Sequence, residues 1–398
     1  MSVIPLAPQG DEGRTASPAA AAAIARSPAA ARRPDIDGLR NLAIGYLFVF
    51  HTARVFDASE PFYVEGAPST WTTFLVHASP WFMPLLFVLA GMSSRFALAR
   101  RPLGTFARER LTRLGVPLLF GLAVVVPPQA YLGLLSHADP AEPGPPYPAF
   151  LGGYWRDWSD LSGYHGTVTP GQLWFLLFLL VISLGLAPIM VRFARRDVTR
   201  LLGGPLLVLV PVAGLALLSL TPAIGGKNLL VDAGWVSLGW VLARDDSVVD
   251  ALAARRHAWG ATAAVGLVAA ATVTVGGPVG RLGTPGALAF GLGEIAVTWV
   301  AVLAGLGYGR RHLTGGVLTS PWLSRAGMPV YVLHQTVLVA VAFATVDRGW
   351  AMPVEFAVIA LGSAAFTYAL YAAVATVPPL AFLLGAKAPR RTPAGRRA

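Results

Sequence analysis

Apolar runs recur along the whole chain, separated by short segments rich in Arg, Gly, Pro or aromatic residues. A helix needs about 20 predominantly apolar residues to cross the hydrocarbon core of a bilayer. Ten stretches reach or approach that length: 38–56, 73–95, 114–135, 171–191, 202–220, 229–243, 258–276, 286–307, 327–346 and 354–376. The sixth has only 15 residues and calls for a thinned bilayer or a re-entrant geometry. Pro84, Pro127, Pro128, Pro188 and Pro211 lie in or near these runs, where packed neighbours accommodate kinks. The pattern predicts an all-α fold, a polytopic transmembrane helical bundle of about ten spans over residues 35–384. Residues 1–34 are rich in Ala and Pro without an apolar run. They read as a disordered cytoplasmic tail rather than a signal peptide, and 385–398 reads as a second, basic cytoplasmic tail.

Composition agrees with lipid as the solvent. The 398 residues are 55% hydrophobic and 13% charged, about half the charge of a soluble domain. Net charge is +11, which in a soluble protein would suggest nucleic acid. Here its distribution sets topology instead, and no nucleic-acid partner is expected. With the N-terminus inside and spans alternating, 26 of the 31 Lys and Arg fall on the inner side. The outer side holds one per segment: Arg54, Arg156, Lys227, Arg281 and Arg348. One missed helix would invert every later segment, so this asymmetry favours ten spans with both termini in the cytoplasm, in the inner (plasma) membrane. The chain has no cysteine, which excludes disulfides, thiolate metal sites and a thiol acyl-enzyme.

Ionisable groups inside spans are costly and mark function. Arg40 and His51 lie on the first span, eleven residues apart. That is close to three turns and about 16 Å along the axis, so both point along one face, Arg40 near the cytoplasmic surface and His51 deep. Asp37 can pair with Arg40. Arg110 and Arg113 follow the second span; three residues apart on a helix they share a face and suit a phosphate. Glu294 on the eighth span and His334 on the ninth can reach the depth of His51. The longest outer segment, 136–170, combines Tyr147, Tyr154, Trp155, Trp158 and Tyr164 with Asp157 and Asp160. That mixture suits sugar stacking and hydroxyl hydrogen bonds, and equally an aromatic belt at the interface.

These residues fall into a recognisable order. Asp37-Gly38-Leu39-Arg40 through His51 forms an Arg, ten residues, His element. Arg110 and Arg113 form an Arg-x-x-Arg pair, and Tyr331 to Gln335 a Tyr-x-x-His-Gln element. In this the chain resembles the acyltransferase-3 integral-membrane family over roughly 34–384. Arg110 to Pro117, Pro127-Pro128-Gln129, Leu173 to Leu176 and Met328 to Tyr331 resemble its glucan-biosynthesis branch. The resemblance implies O-acyl transfer, acetyl, succinyl or similar, from cytoplasmic acyl-CoA to a hydroxyl of an extracytoplasmic carbohydrate, without a metal. It implies Arg40, Arg110 and Arg113 on the coenzyme A phosphates and His51 as general base or as an acyl-histidine relay. Glu294 would orient the imidazole, or His334 would stabilise the oxyanion. A secondary transporter would also combine ten spans, broken helices and buried charges, although no internal repeat supports it. A non-catalytic scaffold would not need Arg40 and His51 in phase.

Overall fold

The computed structural model describes residues 33–139, 144–194, 204–277, 279, 283–346 and 348–386. The tail expectations for 1–32 and 387–398 lie outside these residues. The described chain is helical, without strands. Its helices are α1 (Pro34–Val55), α2 (Thr70–His77), α3 (Phe82–Leu98), α4 (Leu103–Ser136), α5 (Tyr147–Tyr154), α6 (Trp174–Arg192), α7 (Leu206–Ser219), α8 (Leu229–Leu242), α9 (Asp246–Ala254), α10 (Arg256–Val275), α11 (Gly283–His312), α12 (Pro321–Thr345), α13 (Met352–Val374) and α14 (Pro378–Leu383). Each of the ten expected spans falls on a helix or a helix pair.

Seven of these segments are long and apolar enough to cross a membrane unaided. The three that are not each have a physical reason. α1 is long enough but carries Asp35, Asp37, Arg40, His51 and Arg54. α7 and α8 have 14 residues each, about 21 Å at 1.5 Å per residue, short of a 30 Å core. Two expected spans also differ in build. The second is broken between α2 and α3 around Pro80, and the third is longer than expected, running from Leu103 to Ser136 with π-helical turns at Leu111–Gly115 and Gly121–Val125.

α1 and α12 form the centre. Two-thirds (67%) of the α12 apolar window is buried inside the protein, against 11% for α10 at the periphery. α1 packs on α2, α3, α11, α12 and α13. Pro34 opens α1 with Asp35 and Asp37 in its first turn, where proline and negative charge suit a helix N-terminus. Asn41 Nδ2 donates to the Leu318 carbonyl at 2.7 Å and fastens α1 to the turn before α12. Outward-facing Leu209, Leu217, Val265 and Leu361 are exposed, as lipid contact permits.

Close helix approach in lipid relies on small residues. A Cβ on Gly91 of α3 would sit 1.9 Å from the Val236 carbonyl oxygen, and one on Gly239 of α8 would sit 1.9 Å from that of Val88. The obstacles are backbone atoms and cannot swing away. Gly91→Ala should therefore lower the thermal unfolding midpoint in detergent by on the order of 5 °C or more. Gly185→Ala, with open space around its Cβ, should not. Equal midpoints would show that the α3–α8 crossing is looser than described.

Candidate active site

The packing of α1 on α12 brings two of the three intramembrane titratable groups together. The His51 and His334 ring centroids are 5.2 Å apart, with their planes at 41°. His334 is fully buried. Its Nδ1 donates to the Tyr331 carbonyl at 2.6 Å. A carbonyl only accepts, so Nδ1 carries the proton of the neutral ring and Nε2 keeps a lone pair. His51 stacks on Phe62, with centroids 6.0 Å apart and planes at 17°. Its Nδ1 and the His334 Nε2 are both buried without a hydrogen-bond partner.

The two histidines lie at the floor of a cavity of about 930 Å³, together with Gln172 and Gln335. Gln172 is held by two contacts to α12: its Nε2 donates to the Val332 carbonyl at 2.7 Å, and its own carbonyl accepts from the Tyr331 hydroxyl. Its Oε1 remains buried and unpartnered. Apolar walls come from Leu47 and Phe50 of α1, Phe82 and Met83 of α3, and Leu177 and Phe178 of α6.

The rim is polar and aromatic. Trp155 and Trp158 line it and are 44% and 62% exposed. Asp160 Oδ1 accepts from the Thr167 hydroxyl at 3.0 Å and from the Ser162 amide. Burial raises the Asp160 carboxyl, but hydrogen bonds from Ser162, Thr167 and Gly163 outweigh it and hold the group below the usual carboxylate range. Arg54, one turn beyond His51, is buried between Asp57 and Glu60, the latter at 3.3 Å, and donates to the Pro61 carbonyl at 2.8 Å. Opposite, Lys227 Nζ lies 5.5 Å from the Trp174 ring centroid. It sits on the turn Ile224–Lys227, closed by reciprocal backbone bonds of 2.7 and 3.0 Å. Gly225 and Gly226 have φ of 54° and 73° there, the left-handed pair that such a two-residue turn needs. Because α7 and α8 are short, this turn reaches the cavity rim.

At the other end of α1, Arg40 bridges Asp37 and the Ser93 hydroxyl, each at 3.2 Å. Arg110 donates to the adjacent Ser94 hydroxyl at 2.9 Å and lies 4.9 Å from the Phe106 ring centroid. Arg40 and Arg110 thus converge on neighbouring residues of α3. Arg113 lies within electrostatic range of Arg110 but is exposed. The expected shared face assumed α-helical phase. The helix turns π-helical at Leu111, immediately after Arg110, so the two arginines are not held in α-helical phase. Such π segments often mark functional sites.

Glu294 is not brought to the histidines. It stands on the exposed face of α11, outside the cavity lining. Arg54, Gln172 and Lys227 also line the cavity, beyond the residues the sequence singles out. Arg54 carried a signal, being three residues after His51 and so on its face. Gln172 and Lys227 reach the cavity only through tertiary packing. The cavity itself ends at Leu47 and Leu122, short of the arginines, and the face between is filled by Ala43, Ile44 and Leu47.

Among the described residues no cluster of His, Cys, Asp or Glu could hold a metal ion. The family profile described as "Acyltransferase domain" matches residues 33–372. "Glucans biosynthesis protein C" of Salmonella schwarzengrund, Salmonella typhi and Salmonella typhimurium are each 26% identical to the chain over 158 residues. That match covers 38% of this chain and 37% of each relative's length. No solved structure matches.

Proposed function

Because the chain belongs to the family of the Acyltransferase domain, and is by family and fold a multi-pass membrane acyltransferase, we propose that it carries an acyl group from acyl-CoA on the Arg-rich cytoplasmic side to a carbohydrate hydroxyl on the other. Residues 35–384 form the transferring domain in this reading, with both termini in the cytoplasm. The observation that carries it is His51 at the floor of a cavity rimmed by Trp155, Trp158 and Asp160, on the helix whose other end presents Arg40 beside Arg110.

Arg40 and Arg110, with Arg113 as an outer contact, hold the coenzyme A phosphates by charge-assisted hydrogen bonds. The pantetheine arm follows the α1 face toward His51, which requires Ile44 and Leu47 to part. The sugar enters past Trp155 and Trp158, stacking on their faces, while Asp160 accepts from its hydroxyls. His51 Nε2 removes the acceptor hydroxyl proton as the oxygen attacks the thioester carbonyl. The C–S bond breaks, the ester forms, and the thiolate takes the proton from the His51 imidazolium. Glu294, outside the cavity lining, has no step in this scheme.

The test is transfer in proteoliposomes, with radiolabelled acyl-CoA on one side and oligosaccharide on the other. Label on the oligosaccharide supports the reading. Intact acyl-CoA with unmodified oligosaccharide crossing the membrane favours a transporter. In the same assay Trp155→Ala with Trp158→Ala should raise the acceptor KM about 10- to 100-fold, from stacking of about 1 kcal/mol per ring. The KM for acyl-CoA should stay unchanged. An unaltered acceptor KM leaves these rings as interface anchors.

A further inference from the structure

Resting on the reading of His51 as the base, we propose that His334 is the positioning residue that fixes the His51 tautomer, through a His51 Nδ1–H to His334 Nε2 hydrogen bond. The two imidazole nitrogens left without partners at the cavity floor are chemically complementary. His334 Nε2 must be the lone-pair nitrogen, because Nδ1 is committed to the Tyr331 carbonyl at 2.6 Å. His51 Nδ1 is buried without a partner, and the His334 ring lies against its own ring. A direct N–H···N bond places imidazole centroids about 5 Å apart, from a ring radius of about 1.1 Å each and a 2.9 Å bond. The observed separation is 5.2 Å with planes at 41°, a spacing that admits this bond.

The consequence is a relay of fixed polarity. The Tyr331 carbonyl accepts from His334 Nδ1, His334 Nε2 accepts from His51 Nδ1, and His51 Nε2 is left with its lone pair toward the cavity. A free neutral histidine prefers its proton on Nε2, which would leave no base there. The partner of one ring nitrogen decides which nitrogen is basic, and a wrong tautomer costs a general base most of its rate. When His51 takes the hydroxyl proton, its Nδ1–H is already directed at a neutral acceptor, and no proton needs to leave His334. Phe48, with its ring centroid 5.9 Å from that of His334, and Tyr331 hold the second ring in place.

The test has a readout independent of substrate. Protein labelled with ¹⁵N-histidine is examined in detergent by NMR, the His51 signals being assigned by their loss in His51→Gln. Wild type should show His51 protonated at Nδ1, and His334→Phe should shift the proton to Nε2. His334→Gln, whose Oε1 reaches the Nε2 position and accepts, should keep it on Nδ1. In transfer assays His334→Phe should lower kcat on the order of 10²-fold or more with both KM values unchanged, and His334→Gln should recover most of it. A His51 ring protonated at Nε2 in wild type, or equal kcat losses in Phe and Gln variants of equal melting temperature, would overturn the proposal. The NMR result stands whether or not transfer is detected, so failure of the relay and failure of the acyltransfer reading are distinguishable.

Discussion

Replacing His51 with glutamine or alanine should reduce acyl transfer by about three orders of magnitude, within the 10²- to 10⁴-fold range of a positioned general base. The loss should appear in kcat. The KM for acyl-CoA should change little, because Arg40 lies about 16 Å away along α1 by helical rise and Arg110 bonds the serine next to the one Arg40 holds. The acceptor KM should also hold, since the rim residues Trp155, Trp158 and Asp160 do not contact His51 through hydrogen bonds. His51 stacks on Phe62 and lines a cavity rather than filling a core, so His51→Gln should keep the fold and its melting temperature. Initial rates with labelled acyl-CoA, alongside thermal unfolding of each variant, separate the two effects. A folded His51→Gln protein with wild-type kcat would remove His51 from the chemistry and leave His334 as the remaining imidazole to test.

The span pattern was legible because hydrocarbon imposes a length and an apolar content on any crossing helix. The span signal is weakest where tertiary surroundings replace lipid. α1 is surrounded by five neighbouring helices and tolerates charges that its sequence makes conspicuous. α7 and α8 are shorter than a span, and their connecting turn lies at the cavity. The pairing of His51 with His334 was suggested only by depth. Which helices touch depends on packing that one sequence does not state, and the same depth argument admitted Glu294, which faces outward. Depth along a helix is a linear quantity that residue counting gives; azimuth depends on helical phase. The π-helical turns of α4 show why phase fails: one inserted turn re-aims every side chain beyond it, and nothing in Leu111-Thr112-Arg113-Leu114-Gly115 announces it.

That change of phase carries an expected asymmetry between the two arginines of the Arg-x-x-Arg pair. Arg110→Ala should raise the KM or Kd for acyl-CoA about 10- to 100-fold, corresponding to about 1.5–3 kcal/mol for hydrogen bonds from a charged group. Arg110 is pointed inward, held by the Ser94 hydroxyl at 2.9 Å and by the Phe106 face, so its guanidinium loses little freedom on binding. Arg40→Ala should have a comparable effect, since Arg40 is fixed beside it by Asp37 and Ser93. Arg113 is exposed, and a phosphate contact from a solvated, mobile side chain is worth about 0–1 kcal/mol; Arg113→Ala should weaken binding less than about fivefold. Arg110→Lys should not restore affinity, because a single ammonium cannot both bond Ser94 and fork onto a phosphate. Binding of labelled acyl-CoA to detergent-solubilised variants measures each constant without requiring an acceptor. Equal losses for Arg110 and Arg113 would mean that the donor straightens the π-helical turn at Leu111 as it binds. No loss from Arg40 and Arg110 together would place the donor phosphates elsewhere.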